Sequence, residues 1–177
     1  MLRDIKKFQE KFNKTVYPLN NVNLSNMLIA GGAVRSILTD NSIKDIDLFI
    51  YGISSSDAAQ KRVEKFILDI KEHLESIKSG EYLKKQIKVI RSSVNDKDQA
   101  DKYVAEFEQA NRHLYNKNQN TDVTIYNNGN TITMMAGGMQ IQVILRLYKT
   151  KSEILHGFDL GSSAVGYDGT NVLFTSL

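Results

Sequence analysis

Leu2, Ile5, Phe8 and Phe12 recur at spacings of three and four with lysines between them, which predicts an amphipathic helix from Leu2 to Phe12 that Pro18 and the asparagines after it close off. Residues 26–30 form a short apolar run that ends in Gly31-Gly32, and residues 33–38 then have helical composition. The expected local order is strand, glycine turn, helix. Residues 45–51 alternate polar with apolar side chains before turning wholly apolar, as a strand does when its far end is buried. From Ser54 to about Asn118 the period lengthens. Val63, Phe66, Ile67, Ile70, Leu74 and Ile77 make one apolar stripe on a long helix, capped at Ser56 and stopped by Ser79-Gly80. Residues 82–91 are ambiguous, while Tyr103, Phe107, Ala110 and Leu114 mark another helix face. Period two returns after Asn120: strands at 122–126 and 131–135 flank the hairpin signal Asn127-Asn128-Gly129, and Ala136-Gly137-Gly138 turns the chain into a strand at 139–146. A short helix at 149–156 and closing strands at 158–160, 164–167 and 172–175 complete the expectation.

This order predicts an α+β fold: a mixed or antiparallel sheet flanked by helices, in a single domain spanning 1–177 with a helical insertion at about 54–118. With 177 residues, 41% hydrophobic and 24% charged, the chain is long enough for one well-buried core. There is no cysteine, which excludes a disulfide framework and any thiolate metal site. No apolar run approaches a membrane span, so a cytoplasmic protein is expected. The net charge of +3 fits a phosphate-bearing partner without marking a dedicated nucleic-acid surface.

Chemistry concentrates in two places. Asp45 and Asp47, one residue apart on a strand, project from the same face with Cα atoms about 6–7 Å apart and can share divalent cations. Two magnesium ions roughly 3.5–4 Å apart would hold both the attacking and the leaving oxygen of a phosphoryl displacement. An isolated D-x-D is most often a polar strand edge facing water, so its context decides. Here a glycine pair precedes it at a strand–helix junction, where backbone can approach a ligand closely and the first helical N–H groups, at 33–35, can receive a triphosphate. Arg35 adds a positive charge nearby.

The run Gly31-Gly-Ala-Val-Arg-Ser36, followed by Lys44-Asp-Ile-Asp-Leu-Phe49, resembles the head of the DNA polymerase beta nucleotidyltransferase superfamily, in the branch of CCA-adding enzymes and poly(A) polymerases. Residues 139–146 and 154–160 are similar to uncharacterised phage and large-DNA-virus members. The resemblance covers residues 27–52 and about 122–177, leaving the helical middle unmatched. It implies a nucleotidyltransferase-type sheet and a third metal-binding carboxylate on a neighbouring strand. By analogy with CCA-adding enzymes that position falls on the neutral Gln142, whereas the viral pattern points to Asp159, the favoured candidate because a ligand or base there must be anionic. Ser36 stands where the CCA-adding pattern has Asp.

The expected function is metal-dependent transfer of a nucleoside monophosphate from an NTP to a hydroxyl of RNA, a small molecule or a protein. Catalytic and metal-binding roles are expected for Asp45, Asp47 and Asp159, with Mg2+ (or Mn2+) as cofactor. NTP contacts are expected at Gly31, Gly32, Arg35 and Arg146. RNA or tRNA is a candidate acceptor, and a partner protein could supply the acceptor-binding part, with the stripe from Val63 to Ile77 either docking it or, as expected of most such stripes, packing on the sheet. The alternative is a catalytically inactive binding or structural module of phage or viral origin. His156 reads as a surface or capping residue, Asp168-Gly169 as a turn, and Lys84, Lys85, Lys88 and Arg91 as a solvated charged face.

Overall fold

A computed structural model describes residues 4–43, 45–115, 120–158 and 164–175. Helix α1 (Ile5–Thr15) starts where Asp4 accepts a hydrogen bond from the Lys6 N–H, and it buries Phe8 and Phe12. A single 3-10 turn at Tyr17–Leu19, with Pro18 in its first turn, leads to strand β1 (Met27–Ala30). All four β1 residues are buried because β1 lies inside the sheet with helices on both faces, which removes any polar alternation. Helix α2 (Gly32–Leu38) and strand β2 (Asp45–Tyr51) follow.

Among the described residues three α-helices, α3 (Ser56–Lys78), α4 (Glu81–Ser93) and α5 (Lys97–Ala110), and a 3-10 turn at Arg112–Tyr115 separate β2 from the next strand. The cap of α3 is Ser55, whose hydroxyl accepts from the Ala58 N–H, one residue before the expected Ser56. The apolar stripe of α3 is central to the core: Val63, Phe66, Ile70 and Leu74 pack with β2 residues Ile46, Leu48 and Ile50. Residues 81–93, ambiguous by pattern, are helical because Tyr82 and Leu83 gain burial in the same core. Arg91 ties α4 to α5 through Asp101 at 2.7 Å. Among the described residues no helix is long and apolar enough to cross a membrane.

The remaining strands are β3 (Val123–Asn127), β4 (Thr131–Ala136), β5 (Met139–Tyr148), β6 (Val165–Tyr167) and β7 (Val172–Phe174), with helix α6 (Lys151–His156) between β5 and β6. The seven-stranded sheet runs β3-β4-β5-β2-β1-β6-β7. Among the described residues only β2 and β5 pair in parallel, so the fold is α+β with a mixed sheet. Gly137 and Gly138, both at positive φ, close the β4–β5 hairpin as a two-residue turn of the kind that suits twisted strands. One face of the sheet carries the main core under α1, α2 and α3. The other is divided: α6 covers one apolar part through Ile154 and Leu155 against Leu28 and Ala30, and the β2–β5–β4–β3 part carries Asp45, Asp47, Gln140, Gln142 and Thr133 together with Ile144 and Met135.

Candidate functional site

The strand alternation of β2 sends Ile46, Leu48 and Ile50 into the core and places Asp45, Asp47, Phe49 and Tyr51 on the opposite face. Asp45 is exposed and Asp47 half-buried. Burial, and secondly the charge of Asp45, push the Asp47 carboxyl above its ordinary value. Neither carboxylate is paired with a cation among the described residues. Two uncompensated like charges on one strand face are costly, and a bound divalent cation would remove that cost.

The glycine pair lies at this end of β2. Met27, Leu28 and Ile29 are opposite Ile50, Phe49 and Leu48, so continuing the antiparallel register brings Ala30 level with Asp47. Gly31 has φ 85° and ψ −137°, a conformation closed to residues with a Cβ, and a Cβ there would stand 3.2 Å from the Phe158 ring. Its N–H donates to the Val165 carbonyl at 3.0 Å, which anchors the turn to β6. Gly32 begins α2, is exposed, and faces open space where a side chain would be. Because α2 has only seven residues, its dipole is small and close backbone approach at Gly32 is the stronger feature for a phosphate.

The parallel pairing of β2 with β5 sets Gln142 directly beside Asp47 and Gln140 beside Asp45. The neighbouring-strand position at Asp47 is therefore an amide, and its Nε2 lies 3.4 Å from the Thr133 hydroxyl of β4. Asp159 lies outside the described residues. Its chain neighbour Phe158 packs edge-on against Phe49, 5.8 Å between centroids, on the carboxylate face. A β-bulge in β5 opposite Phe49 and Ile50 carries Arg146, which is exposed with its guanidinium 5.0 Å over the Tyr148 ring. Arg35 is exposed on α2. Among the described residues no group of three or more acidic or histidine side chains is gathered to hold a metal ion. The donor set of two carboxylates plus an amide suits one magnesium that retains waters and substrate oxygens, which is how that ion is usually bound.

His156 is exposed at the end of α6, its Nδ1 2.7 Å from the Ser152 carbonyl. Asp168 forms the expected turn, accepting from the Thr170 and Asn171 N–H groups, but it also binds Lys151 at 2.6 Å. Sequence reasoning missed that ion pair, because nothing in the spacing of residues 151 and 168 indicates that the β6–β7 turn returns to α6.

The model of the Gabija anti-defense 2 (Gad2) family matches residues 3–176. This chain belongs to that family. It is also 38% identical over 181 residues to the uncharacterized protein R883 of Acanthamoeba polyphaga mimivirus, an alignment that takes in 100% of this chain and 33% of the relative. The chain thus spans about a third of the length of the curated relative it matches. No solved structure matches it. The expected membership of the DNA polymerase beta superfamily is corrected by the Gad2 match, whose span includes both runs that carried the resemblance. A glycine turn before a helix and a D-x-D strand are local solutions to phosphate and cation binding, and such short motifs do not by themselves identify a family.

Proposed function

We propose that this chain is part of a protein that counteracts the Gabija defence, and that it contributes a cation-dependent site for nucleotidyl transfer from an NTP to a hydroxyl. The observation that carries the chemical part is the Asp45–Asp47 pair, side by side, without a cationic partner among the described residues, at the strand end that adjoins the Gly31-Gly32 turn. The anti-defence part is supported by the family's description. In the proposed reaction the acceptor hydroxyl oxygen forms a bond to the α-phosphorus, the bond to the β-phosphate oxygen breaks, pyrophosphate leaves, and the hydroxyl proton passes to a base or to solvent. Asp45 and Asp47 would hold Mg2+, which would supply charge neutralisation at the phosphates. Gly32 admits the polyphosphate close to the backbone, and Arg35 and Arg146 offer charge to it. A second ion requires a further anionic ligand, the role proposed for Asp159.

The neutral Gln142 beside Asp47 favours a second reading, in which the site binds nucleotide without turning it over. Incubation of the chain with labelled NTPs, Mg2+ or Mn2+ and mixed RNA, beside an Asp45→Ala/Asp47→Ala control, separates the readings. Label transferred to RNA, protein or a small molecule only by the wild type supports transfer. Calorimetric binding of a nonhydrolysable NTP that needs Asp45 and Asp47 but yields no transfer supports the binding module, and absence of both rejects the site. Viral challenge of cells carrying the Gabija defence, with and without the wild-type and doubly substituted chains, tests whether the carboxylates serve the anti-defence role.

A further inference from the structure

Side chains directly opposite one another in a sheet share a face, and the register here aligns Asp47 of β2, Gln142 of β5, Thr133 of β4 and Tyr126 of β3 in one row. The row begins at the carboxylates, continues through a linked amide and hydroxyl, and ends on an aromatic ring that is 64% exposed at the sheet edge. Three strand spacings separate its ends, about 14 Å. Tyr126 takes no part in the core, to which β3 and β4 contribute Val123, Ile132, Met134 and Ala136. Arg146, in the bulge of β5 four residues beyond Gln142, lies over the Tyr148 ring and is exposed, a positive charge beside the row rather than within it.

We propose that this row is the track for a single-stranded nucleic acid, the terminal hydroxyl lying at the carboxylates and a base further along stacking on Tyr126. The proposal rests on the nucleotidyl-transfer reading for what happens at Asp45 and Asp47, and it names the acceptor class. An exposed aromatic ring on a sheet face stacks any base, while the amide–hydroxyl pair of Gln142 and Thr133 can both donate to and accept from a base edge. The row is longer than one base, so a strand engages both ends where a mononucleotide cannot. Continuity with the carboxylate pair sets the direction of the strand along the row.

The test is fluorescence anisotropy of a fluorescein-labelled single-stranded oligo-uridine, titrated with the wild type, Tyr126→Ala, Tyr126→Phe and Tyr103→Ala in Mg2+. Tyr103 is an exposed tyrosine on α5, a helix tied to α4 through Asp101 and Arg91 and not a strand of the sheet, and serves as control. Tyr126→Ala is expected to weaken binding about 5- to 100-fold, with Tyr126→Phe near wild type and Tyr103→Ala unchanged. Equal affinity for Tyr126→Ala and wild type, no affinity of the wild type, or competition by uridine monophosphate as strong as by unlabelled oligomer overturns the proposal. Loss of the anti-defence role in Tyr126→Ala with unchanged oligomer binding also overturns it and assigns the β3 edge to a protein partner. Nonhydrolysable-NTP calorimetry on Asp45→Asn and Asp47→Asn proteins is run alongside: if those variants bind NTP normally while oligomer binding still needs Tyr126, the transfer reading fails and the track stands.

Discussion

Replacing Asp45 by asparagine should make the protein more stable when divalent cations are absent and less responsive when they are added. Two residues of extended chain separate the carboxylates by about 7 Å, at which distance unit charges repel by about 0.6 kcal/mol in a water-like dielectric and about 2.4 kcal/mol at an effective value of 20. Asp45 is exposed and Asp47 half-buried, so the lower end applies, and about 1 kcal/mol should be regained at neutral pH. For a chain of this size that is about 2–4 °C in Tm. Asp47 has a folded pKa above the ordinary 3.8, from burial first and Asp45 second. Once ionised it therefore opposes folding, so the gain should be complete above its folded pKa and vanish below about pH 4. In about 10 mM Mg2+ a wild-type site of about 1 mM affinity gains about 1.4 kcal/mol, which the variant should largely lose. Scanning calorimetry in EDTA and in Mg2+ should thus show the order of the two melting temperatures reversing. If Asp45→Asn melts below the wild type in EDTA, or gains as much from Mg2+, the carboxylates are not a cation site.

Gly31→Ala should cost about 1–3 kcal/mol, since φ 85° is strained for alanine and the new Cβ meets Phe158, whereas Gly32→Ala, facing open space at a helix start, should melt within about 0.5 kcal/mol of wild type. Urea denaturation of the two variants side by side checks the contrast. Burial pushes the Asp168 carboxyl up, but the Lys151 ammonium and the Asn171 and Thr170 N–H groups outweigh it and hold the carboxyl below its ordinary value. Its contribution is therefore present above about pH 4 and lost as the pH falls through the folded pKa, so Asp168→Asn should cost about 1–3 kcal/mol at pH 7 and converge with wild type in acid melts. Phe66→Ala, at a position with 0% exposure in the centre of α3, should cost about 3–5 kcal/mol in chemical denaturation, and a cost under 1 kcal/mol would show that α3 is an appendage to the sheet.

Local signals were legible wherever a few neighbouring residues decide the backbone. The run from β1 through Gly31-Gly32 to α2, the two carboxylates on one face of β2, and the glycine turns at 129 and 137–138 could all be read from spacing. Family membership could not be read from the Gly31–Ser36 and 44–49 motifs, because a phosphate turn and a D-x-D strand satisfy general chemical needs that a short window shares with many folds.

Alternation along β2 is a property of the chain itself: a period of two puts Asp45 and Asp47 together whatever the strand packs against. What stands beside them is not. Gln142 comes within reach of Asp47 only because β5, about ninety residues later, enters the sheet parallel to β2, and Tyr126 and Thr133 join that row only through two further hairpin registers. Strand register is set by burying Ile141, Val143 and Met134 against α3 and β2, a condition distributed over the whole core. The carboxylate pair was therefore determined by local sequence, and its polar surroundings by tertiary packing.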